Sequence, residues 1–350
     1  MMRALRKVEA GPGARLEDVP RPVPGPGEVL IKTHAASICG TDLHIYEWDA
    51  WAAHRIRSIP MTFGHEVAGE VVAIGSEVHH PPVGTFVAAE THFFCGHCRM
   101  CRTGRAHICE NLRILGVDVE GVFAEYVVVP AVNAWEVDAR IPPESASVQE
   151  PFGNAVHTVF AGDGSDLELA TVVVLGCGPI GLFAVGVARA AGARQVIAIE
   201  PNDYRLNLAK QMGADALIDP TKDDPVEVVR AATDGRGAEV VLEMSGVPSV
   251  IEQGTRMLDH GGRMSLLGLP TEPVALDLTD QVIFKEARIL GVTGRELFRT
   301  WEQTTTLLAT GMVDVAPVIT HRFPMDRFEE AFDVVASGRS GKVILLPGGD

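Results

Sequence analysis

Basic side chains are scarce in this sequence: 30 Lys and Arg stand against 46 Asp and Glu, a formal charge of −16 over 350 residues. That balance argues against nucleic acid and anionic membrane surfaces as partners, since both demand basic patches. Its plain consequence is solubility. Long apolar runs are missing as well. The longest candidate, GLFAVGVARAAGA from Gly181, is interrupted by Arg189 and falls short of the roughly 20 residues that span a bilayer. No apolar leader follows the first Met, so a soluble cytoplasmic protein with reduced cysteines is expected. Repeats and low-complexity linkers are also absent, and 46% hydrophobic residues describe a full core rather than disorder. The length suggests two domains.

Cysteine is sparse but concentrated. Four of the six fall within CGHCRMCRTGRAHIC: Cys95, Cys98, Cys101 and Cys109. Thiolates at this spacing close a tetrahedron around one zinc ion and leave no open position, so the cluster reads as a structural metal lobe over about residues 92–116. Disulfides and an iron–sulfur cluster are the alternatives. With four sulfurs present, His92, His97 and His107 are expected on the loop surface. Only Cys39 and Cys177 remain.

Residues 1–155 carry short strand-like runs such as EVLIK and FAEYVVVP, broken by Gly and Pro as in RPVPGPGE, the texture of an antiparallel β domain. From about residue 170 the pattern changes. TVVVLG precedes the helix-compatible LFAVGVARAAGA, then come QVIAIE, VVLEMSG, RMSLLGLP and ARILGVTG. Strands alternating with helices imply βαβ units and a parallel sheet, which makes the fold class α/β. Past residue 298 a further helix is expected in MDRFEEAFDVVASG, with Phe328, Ala331, Phe332 and Val335 on one face, before the strand KVILL.

GCGPIG sets Gly176, Gly178 and Gly181 directly after an apolar strand and before a helix, the context a dinucleotide fingerprint requires. Gly176 permits the tight turn, Gly178 lets backbone approach a pyrophosphate, and Gly181 lets helix and strand pack closely. Nineteen residues past Gly181, Glu200 ends the next strand, where a carboxylate accepts from ribose hydroxyls and repels a 2′-phosphate. NAD is favoured over NADP, although nearby Arg205 could meet a phosphate or the adenine face. Cys177 reads as a small side chain inside the turn.

A second constellation lies in CGTDLH (Cys39 to His44) and FGHE (Phe63 to Glu66). A catalytic zinc keeps three protein ligands and an open position, and Cys39, His65 and one carboxylate supply such a set. Glu66 and Glu150, the latter in QEPFGNAVHT, compete as the carboxylate, and spacing does not choose between them. Asp42 reads as a turn or cap residue.

GHE, the Cys95 lobe and GxGxxG, in this order, resemble the zinc-dependent medium-chain alcohol dehydrogenases over essentially the whole chain. ICGTDLHIYEWDAW, EPFGNAVHT, VLEMSG and GREL are most similar to members that oxidise L-threonine. The resemblance implies a GroES-like, β-rich catalytic domain from residues 1–155 and 298–350, and an inserted Rossmann NAD-binding domain, a doubly wound parallel sheet, over residues 156–297. It implies Cys39, His65 and Glu66 as ligands of a catalytic zinc, with Glu150 assisting, and two zinc ions per chain. It further implies Thr41 and His44 as a proton relay, and NAD contacts from Gly176, Gly178, Ile180, Gly181, Glu200, Arg205, Leu267, Gly268, Leu269, Val292 and Thr293. Two positions depart from relatives: Glu150 stands in place of Asp, and Thr293 in place of an aromatic residue.

The implied reaction is hydride transfer from C3 of L-threonine to the nicotinamide, giving 2-amino-3-oxobutanoate, with zinc acidifying the hydroxyl and Thr41 and His44 carrying the proton away. The substrate ammonium would meet Glu150 or Asp49, with Trp48 and Trp51 as pocket walls. A homotetramer acting on a small-molecule substrate is expected. Polyol or secondary-alcohol dehydrogenation is the alternative, and a zinc protein that senses NADH without turnover a third.

Overall fold

The computed structural model describes residues 1–162 and 164–348. They gather into two compact units, one of residues 1–150, 296–301 and 319–350, the other of residues 151–295 and 302–318. The sequence reading draws a single late boundary near residue 298. In the structure the stretch 302–318 joins the second unit, where Val313 lies against Gly186 and Thr304 beside Gly153.

The first unit is built on antiparallel pairing. In its seven-stranded sheet Ala134–Glu136, Phe86–Ala89, Glu66–Ile74, Glu28–Ser37, Lys342–Leu346 and Ile319–Pro324 are neighbours in that order, and Tyr126–Pro130 also pairs with Glu28–Ser37. The chain end adds the one parallel pair of this sheet, Ile319–Pro324 with Lys342–Leu346, joined through the helix Phe328–Ala336. Phe328, Ala331 and Phe332 are buried on that helix and Val335 packs beside them, the face its apolar spacing predicts. The Phe332 ring stacks on Tyr46 at 4.3 Å, and Phe63 packs edge-on to Phe123 at 5.2 Å. This aromatic core fixes the helix Gly40–Glu47 against the chain end.

The second unit is a six-stranded sheet, every neighbouring pair parallel: Ala216–Ile218, Gln195–Ile199, Thr171–Leu175, Ala238–Glu243, Leu258–Leu266 and Arg288–Gly291. Numbered along the chain, the strands run 3-2-1-4-5-6, the order of a Rossmann sheet. Thr171–Leu175 is buried at every position, as a central strand covered on both faces must be. Among the described residues no helix is long and apolar enough to cross a membrane.

A buried guanidinium ties this sheet together. Arg263 is fully buried, forks onto Asp166 at 2.9 Å through two nitrogens, and donates to the Thr158 and Val159 carbonyls at 3.4 and 3.0 Å. Arg288 meets the same carboxylate from the rim at 2.7 Å. Removing one member of a buried pair leaves an uncompensated charge. Arg263→Met is therefore expected to destabilise the fold by about 3 kcal/mol in urea unfolding, and a loss within experimental error would show that Arg288 alone satisfies Asp166.

Candidate active site and metal centres

Cys39 leaves the strand Glu28–Ser37 and caps the helix Gly40–Glu47, its backbone N–H donating to Asp42 Oδ2 at 2.8 Å. The other Asp42 oxygen lies 3.2 Å from His65 Nδ1, with Asp42 fully buried. Asp42 is the cap residue its position suggests, and its second oxygen also faces the His65 ring. His65 follows Gly64, whose φ is +88°, and a Cβ there would fall 2.6 Å from the Phe123 ring. Only glycine makes this turn and aims His65 and Glu66 inward.

Sγ of Cys39, a ring nitrogen of His65 and a carboxylate oxygen of Glu66 lie within 4.8 Å of one another. Burial opposes charge on His65, yet Asp42 and then Cys39 outweigh it and hold the imidazole well above the ordinary histidine range. The cradle's thiol, imidazole and carboxylate are the donor set of a zinc site, so the residues fit that metal.

Glu66 is fully buried and gripped by Lys342, whose Nζ lies 2.5 and 2.6 Å from its two oxygens, and it also accepts from Ser37 Oγ. Burial disfavours the Lys342 ammonium, but the Glu66 carboxylate more than offsets it and keeps the lysine above its ordinary value. Glu150, in the first turn of the helix Gln149–Val159, is buried, accepts from Thr91 Oγ1 at 3.2 Å and lies close enough to act on both Glu66 and Lys342. Both carboxylates that the sequence leaves in competition are therefore here, with a lysine 276 residues from Glu66 that no local pattern announces.

The neighbouring loop sorts the other candidates. Thr41 is half-buried and His44 is exposed, its Nδ1 at 2.7 Å from Asp49 Oδ2. Asp49 also caps the helix Ala50–Arg55 through Ala52 N–H. Burial pushes its carboxyl up, but the Ala52 N–H and His44 together bring it below the usual range. Trp48 ends the preceding helix at φ +57° and packs on the core with the Lys7 ammonium over its ring, while Trp51 tilts against His44 at 5.8 Å.

In the cysteine lobe the Sγ atoms of Cys98 and Cys101, Cys95 and Cys109, and Cys98 and Cys109 are 3.4, 3.5 and 3.8 Å apart. Disulfides would require about 2.05 Å. A zinc tetrahedron with bonds of about 2.3 Å has edges of about 3.8 Å, so these thiols fit that metal. Backbone N–H groups of Cys95, Cys98 and Cys101 point at the sulfurs of Cys109, Cys95 and Cys98. The His97 N–H leads the groups that pull Cys95 down to about 6, while burial pushes Cys101 up to about 12. His97 lies on the surface as expected, with Nδ1 on the Cys95 carbonyl, and His107 is half-buried. His92 does not: it is buried, and its N–H donates to Glu90 Oε1 at 2.7 Å.

In the second unit the glycine turn follows the strand Thr171–Leu175 and opens the helix Pro179–Ala190. Gly176 has φ +87° and would set a Cβ 2.9 Å from Ser245, and at Gly181 a Cβ would fall 2.0 Å from the Gly176 carbonyl. At Gly178 a Cβ meets nothing within 4 Å, space that a phosphate would fill. Glu200 directly follows the next strand, Gln195–Ile199, and accepts from Cys177 N at 2.8 Å and Asn202 N at 3.1 Å, while the guanidinium of half-buried Arg205 keeps a buried, unbonded Nε. Cys177 is a buried thiol pushed far up by burial, a filler as expected. Leu267, Gly268 and Leu269 and then Val292 and Thr293 follow the strands Leu258–Leu266 and Arg288–Gly291 at their C-terminal ends, where doubly wound sheets bind ligands. Glu243, unforeseen from the sequence, ends the neighbouring strand Ala238–Glu243 and is fully buried, with Oε1 accepting from Ser245 and Gly246 N–H.

A cradle of metal donors in one unit and a dinucleotide turn in the other define a metal- and nucleotide-dependent dehydrogenase. Residues 25–139 match the alcohol dehydrogenase GroES-like domain and residues 179–310 the zinc-binding dehydrogenase domain, and the chain belongs to this family of zinc-binding alcohol dehydrogenases. It is 54% identical, over 99% of its length and 98% of the relative's, to an L-threonine 3-dehydrogenase of Symbiobacterium thermophilum. Among solved structures it resembles a zinc-binding dehydrogenase from Sinorhizobium meliloti bound to NADP (TM-score 0.91, 33% identity, 99% of both chains). It also resembles a 2R,3R-butanediol dehydrogenase from Bacillus subtilis (TM-score 0.89, 28% identity, 99% of this chain and 100% of that one).

The glycines make separable predictions. Gly178→Ala is expected to fold with an unchanged melting temperature but to weaken NADH binding in a fluorescence titration, because the added methyl occupies phosphate space. Gly181→Ala is expected to lower the melting temperature, since its methyl strikes backbone. Equal loss of stability in both would refute the division of labour.

Proposed function

We propose that this protein oxidises L-threonine at C3 to L-2-amino-3-oxobutanoate with NAD as hydride acceptor. The observation that carries this reading is the full-length 54% identity with an enzyme of that name, joined to a cradle of Cys39, His65 and Glu66 within 4.8 Å. In this reading Cys39, His65 and Glu66 hold a catalytic zinc, and Cys95, Cys98, Cys101 and Cys109 hold a structural one. Zinc supplies Lewis acidity at the substrate hydroxyl and the nicotinamide accepts the hydride.

The remaining roles fall to the chain itself. Asp42 orients His65, and Lys342 offsets part of the burial that raises the Glu66 carboxyl above its ordinary value. Glu150 receives the substrate ammonium; Asp49, its rival, is engaged by His44 and its own helix. Thr41 passes the substrate proton to His44, which is exposed and steadied by Asp49 for exchange with water. Gly176, Gly178, Ile180 and Gly181 cradle the pyrophosphate, and Leu267 to Leu269, Val292 and Thr293 border the nicotinamide. Glu200, with its carboxylate fixed by two backbone N–H groups, favours a free ribose hydroxyl and hence NAD, while Arg205 faces the adenine side.

We also infer a cytoplasmic homotetramer. Its six cysteines are thiols, and the edge strand Arg288–Gly291 follows the exposed Ile283 and Phe284, apolar surface that a second subunit would cover. The likeness to the butanediol enzyme keeps secondary-alcohol or polyol oxidation as the second reading. A non-catalytic NADH sensor is disfavoured by the intact donor set.

Initial rates of NADH formation with L-threonine, its allo and D isomers, 2,3-butanediol and sorbitol test the substrate. Activity concentrated on L-threonine is expected; preference for the diol or sorbitol would transfer the function to the second reading. Metal analysis should return two zinc ions per chain, falling to one in Cys98→Ser and in Cys39→Ser, with activity abolished by Cys39→Ser. A single zinc in the unaltered protein would overturn the two-site assignment.

A further inference from the structure

Glu90, Thr91 and His92 are three consecutive polar residues, all buried, on the way into the cysteine lobe. The polar groups of this strap are bonded almost throughout. Glu90 N–H donates to the Asn133 carbonyl at 2.8 Å, and Asn133 Nδ2 returns bonds to the Glu90 and His92 carbonyls at 2.9 and 3.0 Å. Leu115 N–H reaches the Thr91 carbonyl at 3.0 Å. The Glu90 carboxylate accepts from His92 N–H through Oε1 and from the Trp301 indole through Oε2, both at 2.7 Å. Trp301 is itself buried and lies 211 residues away on the short segment 296–301 that returns to this unit. A carboxylate buried this completely is satisfied only if those donors stay in place.

A side-chain bond leaves the strap toward the metal cradle: Thr91 Oγ1 donates to Glu150 Oε1 at 3.2 Å. Glu150 needs such a tether. It is a long side chain set between a carboxylate that repels it, Glu66, and an ammonium that attracts it, Lys342, so its direction depends on what else it bonds. We propose that Thr91 is a positioning residue, whose hydroxyl holds Glu150 toward the substrate ammonium, and that the Trp301–Glu90 pair locks Thr91 in register. The proposal rests on the reading of Glu150 given above. It adds a specificity device built from residues outside the metal-binding motifs.

The zinc-loaded enzyme with Thr91→Val, Thr91→Ser, Trp301→Phe and Glu150→Gln tests this. Losing one hydrogen bond to a carboxylate is expected to raise KM for L-threonine about tenfold in Thr91→Val, with kcat changed less, and NADH affinity and zinc content unchanged. Thr91→Ser, which keeps the hydroxyl, should stay within about twofold of the unaltered enzyme. Trp301→Phe should move KM in the same direction as Thr91→Val. In crystals of Thr91→Val the Glu150 carboxylate should turn away from its present place. Should Thr91→Val fail to fold, Thr91→Ala is the second hydroxyl deletion. Serine as damaging as valine would mean that packing and not the hydroxyl matters, and would overturn the proposal. So would an unchanged KM in Thr91→Val beside an impaired Glu150→Gln. Normal turnover by Glu150→Gln would instead overturn the role of Glu150 itself.

Discussion

The Lys342 ammonium, buried between the two oxygens of Glu66, is the constraint on which the catalytic unit depends. Asp42, Glu66 and Glu150 are all buried near the half-buried Cys39 thiol, and the Glu66 and Glu150 carboxylates repel each other, which favours protonation. Burial raises the Glu66 carboxyl, and a lysine that also donates to the Ile38 carbonyl at 3.2 Å offsets part of that cost. The alternative of an unpaired buried charge is far costlier than the pair itself. Lys342 starts the strand Lys342–Leu346, which pairs antiparallel with the strand leading to Cys39, Ile344 opposite Ser37. The donor cradle is therefore electrostatically complete only after the last strand has docked.

The short helix that follows Cys39 is held at both ends by unrelated means. Asp42 closes a capping box with Cys39 at the start, and Trp48 closes the end in a left-handed conformation by returning its N–H to the His44 carbonyl. Lys7 gathers the carbonyls of Gly11, Gly13 and Tyr46 under the same turn. Tyr46 is then stacked on Phe332 of the chain end. An eight-residue helix would be marginal in isolation. Fixed at both ends and along one face, it presents Cys39 and Asp42 as rigid parts and leaves His44 exposed to exchange with solvent.

What could be read from the sequence follows from how local each device is. The four cysteines, the three glycines and GHE act within short windows, so spacing alone carries their chemistry. The apolar face Phe328, Ala331, Phe332 and Val335 was legible for the same reason. Lys342 looks like an ordinary first residue of a strand, and Trp301 and Arg263 like ordinary helix and strand residues, because their partners are 276, 211 and 97 positions away. His92 was expected on the surface because a neighbouring tetrad already had its four sulfurs. The backbone turns it inward, since Glu90 and Asn133 bind the strap on either side. Spacing does not rank Glu66 against Glu150, because one reaches the cradle at the start of the strand after His65 and the other from the first turn of the helix Gln149–Val159.

The two units answer to different chemistry. The nucleotide turn is mostly backbone: what matters at Gly176 and Gly181 is the absence of a side chain, and Glu200 is held by N–H groups that any residue provides. Such a device tolerates wide change in the surrounding side chains, which is why a nucleotide-bound neighbour can share the fold at 33% identity. The metal cradle is the reverse, a set of side chains whose positions are fixed by other side chains: His65 by Asp42, Glu66 by Lys342, Glu150 by Thr91. Altering one support shifts a ligand or a substrate contact without disturbing the strands beneath. On the roles proposed for Glu150 and for the three donors, the supports around Glu150 and not the donors themselves would set substrate preference in this protein.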